Sequence, residues 1–385
     1  MLESIKKVDK KIIIMFGVMI AIVLVIIIAL IVLSLSGGGT LSFEKIETKL
    51  VSAAESYYDD NEDKLPAKIG ESKEIKVDTL VKEGYISALS EYTEEGVKCD
   101  AKVIVAKIEN GYDYVAALDC GKEYKTVFLA DYLKEKVVTS GSGLYQVTPP
   151  TTDLGTDADG YNLSSNELLS GYVYRGEKVN NYIQVGNVVY RIVRIDGNND
   201  FTVVTTNNSS KGVYDDRHNS DFDNNNTQGI NDYTKSRVQE ALAEKYTGLK
   251  IDGFIKSKSV TKDVCIGARS TTDTTKDGST ECKVVMKDQN CSLLPVYEIL
   301  NASLSDECQK TTDAACRNYN YLMSTGTFWT MTPTDKNTYS AYISGGKMSS
   351  METYEDYAYK YVYYLSSRLV YESGTGTEAD PFIVK

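Results

Sequence analysis

The N-terminus limits this chain more than any other part of it. From Ile12 to Leu33 no side chain carries a charge, an amide or a hydroxyl. A helix of that length, at about 1.5 Å per residue, spans a hydrocarbon layer of about 30 Å and satisfies its own backbone hydrogen bonds. Lys6, Lys7, Lys10 and Lys11 precede the run, and Gly37, Gly38 and Gly39 follow it with no positive cluster. The lysine bias predicts a cytoplasmic tail over 1–11, a transmembrane helix over 12–35 contacting the lipid bilayer, and the remainder outside the cell. A cleaved signal peptide would have a shorter apolar core of about 7–15 residues. A lipid anchor needs a cysteine just after the run, and the first is Cys99.

Composition then removes several functions. The chain carries 42 Lys and Arg against 54 Asp and Glu, a formal charge of −12, and the lysine-rich tail makes the rest more acidic still. Nucleic-acid binding rests on basic patches that neutralise phosphates, so that partner class is excluded. His218 is the only histidine, which removes His-rich metal sites and leaves little basis for a Ser-His or Cys-His nucleophile.

All seven cysteines lie beyond the apolar run, where thiols tend to oxidise into structural bridges. Locality ranks their pairings. Cys99 and Cys120 flank two alternating segments, 102–108 and 112–118, joined by Asn110-Gly111, the strongest short hairpin signal. Such a hairpin brings its outer ends together, so Cys99–Cys120 comes first. Cys265–Cys282 brackets a polar loop and Cys308–Cys316 closes a short one, which leaves Cys291 as the odd thiol.

Along the chain, Phe43, Ile46, Leu50 and Ala53/Ala54 recur at helical spacing within 42–58. A second short helix over 77–86 ends at Gly84, and the disulfide hairpin follows. These elements predict a membrane-proximal α+β domain over 40–138. Residues 139–165, rich in Ser, Gly, Thr, Asp and Pro, read as a linker. A larger β-rich α+β domain with irregular loops is expected over 166–385. Its strands are expected within 182–195, 201–206, 328–332 and 338–344 and at the C-terminus, with a helix over 234–247.

The ordered set GINDYTKSRV (229–238), LLPVYEILNAS (293–303), NYNYL (318–322), FWTMTP (328–333) and SGTGTEADPFIV (373–384) resembles a group of uncharacterised single-pass exported surface proteins of Gram-positive and related wall-less bacteria. Where such modules usually carry an Arg-Pro pair before the last apolar run, this chain has Lys360-Tyr361. In style the module is similar to formylglycine-generating-enzyme and C-type-lectin-like folds. The first domain is similar in outline to pilin or pseudopilin heads, although the apolar run lacks the prepilin glutamate. The resemblance implies an address and an architecture; no activity comes with it.

Two constellations could carry chemistry. Asp221, Asp223, Asn225, Thr227 and Asp232 place oxygen ligands at the spacing of a calcium loop, with Asn226 where a glycine is wanted. The chain also has 29 tyrosines beside one tryptophan. Tyr357, Tyr359, Tyr361 and Tyr363 alternate, so one strand would present all four on one face, and with Trp329 they form the expected binding surface. No cofactor is required, Ca2+ being the one candidate. The expected function is non-enzymatic recognition or envelope scaffolding at the cell surface, toward a surface protein or glycan. The alternatives are a wall- or glycan-directed hydrolase using a carboxylate pair in the C-terminal domain, or a pilin-like component of a secretion or filament machine.

Overall fold

A computed structural model describes residues 40–150, 169–207, 210–217, 229–248, 253–335, 339–343 and 348–385. The fold is mixed α+β. The expectation of a membrane-spanning helix is corrected: no helix among the described residues is long and apolar enough to cross a membrane. The longest of them, α1 (Phe43–Asp60), interleaves Glu44, Lys45, Glu47, Lys49 and Glu55 with its apolar residues and is amphipathic. Residues 1–11 and 12–35 lie outside the described residues.

The chain divides into two compact units. The first comprises residues 40–62 with Ile75–Val103 and Ala116–Lys125. In it, α1 buries Ile46, Leu50, Ala53, Ala54, Tyr57 and Tyr58, the stripe that the helical spacing predicts. Asn61 closes the helix by donating from its side chain to the Tyr57 carbonyl at 2.8 Å. The short helix α2 (Val77–Lys82) stops before Gly84, whose φ of +83° is a left-handed conformation. Strands β1 (Ser72–Lys76), β2 (Asp100–Ile108) and β3 (Gly111–Asp119) form a three-stranded sheet in that order. Cys99–Cys120 joins the outer ends of the β2–β3 hairpin.

The second unit takes in Asp63–Glu74, Ile104–Val115 and Thr126–Lys385. The first domain therefore ends earlier than the expected residue 138. Helix α3 (Leu129–Lys134) inserts Leu129, Ala130 and Leu133 into the second unit's core, and the Leu129 amide donates to the Leu369 carbonyl. The expected linker is shortened as well. Its residues Gly143–Val147 are strand β4, paired antiparallel along their whole length with β5 (Gly171–Arg175); residues 151–165 lie outside the described residues.

Three sheets build this unit. The remaining strands are β6 (Tyr182–Val185), β7 (Val188–Ile195), β8 (Phe201–Thr205), β9 (Ser210–Gly212), β10 (Lys262–Cys265), β11 (Val285–Gln289) and β12 (Cys291–Ser292). They continue with β13 (Phe328–Pro333), β14 (Tyr339–Ile343), β15 (Met348–Glu352), β16 (Tyr357–Tyr359), β17 (Val362–Leu365), β18 (Tyr371–Ser373) and β19 (Phe382–Val384). The nine-stranded sheet runs β12-β17-β8-β7-β6-β19-β18, with β5 also on β7 and β4 beyond it. A five-stranded sheet runs β15-β14-β13-β16-β9, and β10 pairs with β11. All residues of β13 and β17 are buried, so these strands read as continuous apolar or neutral runs instead of alternating. Trp329, Phe201, Phe328, Ile192 and Tyr321 lie in one core. Helix α4 (Arg237–Gly248) adds Val238, Leu242 and Tyr246 to that core, and the short helix α5 (Gly253–Lys258) follows. The last helix, α6 (Val296–Asn301), is buried throughout.

Cys99–Cys120, Cys265–Cys282 and Cys308–Cys316 are disulfides. The three bridges fit an oxidising, extracellular environment; anchoring in a bilayer has no support among the described residues. Cys291 is free and buried, its thiol directed at the Leu242 carbonyl at 3.3 Å. Burial pushes that thiol up to about 12, so it stays protonated at neutral pH. Titrating the native full-length chain with a thiol reagent at pH 8 should therefore label nothing, and denaturing it without reductant should expose one thiol. Labelling of a second cysteine would contradict the bridges.

Candidate binding site

One surface site is built on the segment Asn318–Leu322. Asn320 is 1% exposed, and its carboxamide is fully used. Its Nδ2 donates to the carbonyls of Ile299 (2.8 Å) and Cys316 (2.9 Å). Its Oδ1 accepts from the amides of Leu322 (3.0 Å) and Met323 (3.4 Å). Two donors and two acceptor positions are what this side chain possesses, so the loop is wound around it. On one side the Cys308–Cys316 bridge closes the preceding turn. On the other, the Tyr321 amide donates to the Gly176 carbonyl and the Gly176 amide to the Ala302 carbonyl. Gly176 has φ +117°, and a Cβ there would stand 2.2 Å from Ser142 Oγ; this close approach needs a glycine.

Tyr319 is pinned between these anchors. Ser303 Oγ donates to the Asn318 carbonyl at 2.9 Å, and the Leu304 amide donates to the Tyr319 carbonyl at 3.3 Å. The backbone of Tyr319 is left-handed, φ +50°, a conformation that costs a non-glycine residue about 1–2 kcal/mol. The side chain is 60% exposed. It borders a hollow of about 580 Å³ lined by Glu177, Arg317, Asn318, Met323 and Ser324 together with Tyr319 itself. A flat aromatic face, a carboxylate acceptor, a guanidinium donor, an amide and a hydroxyl thus surround one opening. That set suits a polar, uncharged ring compound with hydroxyls to satisfy and an apolar face to stack.

The expected tyrosine surface does not form. Trp329 is fully buried, with its Nε1 donating to the Gly212 carbonyl at 3.0 Å. Tyr359, Tyr361 and Tyr363 are buried and Tyr357 is half-buried. Tyr357 and Tyr359 lie on β16 and Tyr363 on β17, which belong to different sheets. Alternation correctly reads a shared face within one strand, but this segment leaves one sheet for another at Lys360-Tyr361. Tyr359 is a core anchor, its hydroxyl donating to the Val213 carbonyl at 2.6 Å.

Of the expected calcium ligands, Asp221, Asp223, Asn225 and Thr227 lie outside the described residues, as does His218. Asp232 serves its own turn: it caps Tyr233–Lys235, accepting from the Thr234 amide and hydroxyl. Among the described residues no group of three acidic, His or Cys side chains could hold a metal ion.

The neighbouring carboxylates of Asp196 and Asp200 are occupied in holding the fold. Burial, with the charge of Asp196 adding, pushes Asp200 up to about 6. Yet Asp196 Oδ1 accepts from the amides of Asn198 and Asp200, its Oδ2 pairs with Lys262, and Asp200 accepts from the Ser367 amide. Among the described residues lining the Tyr319 hollow, Glu177 is the one carboxylate.

Lys360 is fully buried. Its ammonium lies 3.5 Å from the Thr206 carbonyl and 5.5 Å from the Phe328 ring centre. Burial, with the charge of Arg191 adding, lowers its pKa to about 8. Comparison with known proteins finds no family model, no curated protein and no solved structure that matches the chain, so the functional argument rests on geometry.

The Lys360 shift has a measurable sign. Above about pH 8 the folded chain releases this proton, while the unfolded chain holds it to about pH 10. Over that window the unfolded state binds more protons, so stability rises with pH; below it the full penalty of burying the charge stands. Denaturant titrations of the full-length chain and of Lys360→Met should show the difference between them changing by roughly 3 kcal/mol between about pH 7 and 10, in favour of the natural chain as pH rises. A pH-independent difference would contradict the burial argument.

Proposed function

We propose that this chain is an exported recognition module that binds a neutral sugar unit of an extracellular glycan at the Tyr319 hollow. The observation that carries this reading is the exposed Tyr319 ring, held in an unfavourable backbone conformation by an asparagine with every hydrogen bond satisfied. Strain of this kind persists where the surroundings over-determine it, and it clusters at ligand clamps. A pre-set ring avoids the ordering cost that a free side chain would incur on binding. Glu177, Arg317, Asn318 and Ser324 supply hydroxyl partners around it. The three disulfides support an extracellular setting, and the acidic charge of the chain favours a neutral ligand over a polyanion.

The test separates function from stability. Tyr319→Gly removes both the ring and the strain, so the full-length variant should fold as stably as the natural chain, or up to about 1 kcal/mol more so. On a glycan array its binding should drop by roughly 3- to 10-fold or more, the range of an aromatic contact, while Tyr319→Phe keeps binding. Equal glycan binding by Tyr319→Gly, no glycan binding by the natural chain, or binding to a protein alone would overturn the reading.

A further inference from the structure

A second cleft lies elsewhere in the same unit, and its chemistry differs from that of the Tyr319 hollow. It measures about 380 Å³ and is lined by Arg175, Arg194, Lys276 and Asn301, with Val147 and Leu169 as apolar wall and Gln146, Thr148 and Asp277 completing it. Each cation comes from a separately anchored element. Arg175 ends β5, Arg194 lies on β7, and Lys276 sits in the loop closed by Cys265–Cys282. Asn301, the last residue of α6, ties two of them together. Its Oδ1 faces Arg175 Nη2 at 3.5 Å, and its Nδ2 donates to the Lys276 carbonyl at 2.7 Å.

The charges in this cleft do not balance. Arg194 is satisfied by Glu298 and by the carbonyls of Leu169 and Ser170. Neither Arg175 nor Lys276 has a carboxylate at ion-pair distance among the described residues; Glu298 acts on Arg175 and Asp306 on Lys276 from further away. Arg175 Nε is buried with no acceptor among the described residues, and Tyr145 faces the guanidinium at 5.2 Å. Among the described residues the one acceptor of Lys276 Nζ is the Cys308 carbonyl, at 2.8 Å. Asp277 does not compensate directly, since its Oδ1 accepts from the amide and hydroxyl of Ser279. Both cations are held below their ordinary pKa, first by burial; the Arg194 charge lowers Arg175 further and that of Arg175 lowers Lys276, while Tyr145 and Glu298 raise Arg175 and Asp306 raises Lys276. Burying unpaired charge is unfavourable, and a guanidinium beside an ammonium forms charge-assisted hydrogen bonds most strongly with an oxyanion.

We infer that this cleft is a binding site for the carboxylate or phosphate of a small organic anion. Arg175 offers a planar fork, Lys276 a point charge, and the Val147 and Leu169 wall accommodates the uncharged body of the ligand. The site is independent of the Tyr319 hollow: it takes a charged group, and different residues form it.

Thermal unfolding of the full-length chain decides this, with sodium phosphate, sodium glucuronate, glucose, and sodium chloride at matched ionic strength as probes. Phosphate or glucuronate should raise the melting temperature above the chloride control by several degrees at tens of millimolar, and glucose should not act through this site. A response to phosphate alone identifies a phosphate ligand, and a response to glucuronate alone a carboxylate. Lys276→Met and Arg175→Gln should each abolish the rise, and Lys276→Met should melt no lower than the natural chain without ligand, because an uncompensated charge has gone. No rise with either anion, or the same rise in both variants, would overturn the assignment.

Discussion

Arg194 and Glu298 are almost completely buried, and the guanidinium of one meets the carboxylate of the other. The same guanidinium donates to the carbonyls of Leu169 and Ser170, so one side chain joins β7, α6 and the approach to β5. Replacing such a pair by packed apolar groups would not necessarily weaken the fold, but removing one partner strands a charge, typically at a cost of about 3–5 kcal/mol. What the pair provides here is position. With Glu298 fixed, the rest of α6 has its hydrogen bonds assigned. Val296 donates to Thr332 Oγ1, Ile299 accepts from Asn320, and Asn301 stands between Arg175 and the Lys276 carbonyl. Both surface sites are thus set by one short buried helix and the residues that grip it.

That arrangement accounts for what could be read from the amino-acid sequence. Cys99–Cys120 was legible because a local signal, Asn110-Gly111, folds the intervening residues back on themselves. The stripe of α1 and the strand character of 182–195 and 201–206 were legible for the same reason: their periodicity lies within the segment. Gly143–Val147 was harder. Its surroundings have the composition of a linker, and its partner β5 comes after the intervening polar stretch. The tyrosines of 357–363 show the opposite failure, since alternation reports a face but not whether that face is covered, nor that the strand breaks at Lys360.

Tyr319 was named only as one letter of a resembling motif. Its left-handed backbone and exposure follow from what Asn320 does, and Asn320 acts through Ile299 and Cys316, whose approach is a product of the whole unit. Arg175 and Lys276 were equally silent. Each is an ordinary surface cation by sequence, and only the fold reveals that Glu298 is engaged by Arg194 and that no carboxylate among the described residues stands at ion-pair distance from them.

The account depends on the Tyr319 loop being rigid before any ligand arrives. Native-state hydrogen exchange on the full-length chain tests this directly. The amides of Gly176, Tyr321, Leu322 and Met323, each with an identified acceptor, should exchange as slowly as those of the central strands β7 and β8. Exchange at the rate of an open surface loop would show that Asn320 does not hold the segment, and the account of a preformed site around Tyr319 would be wrong.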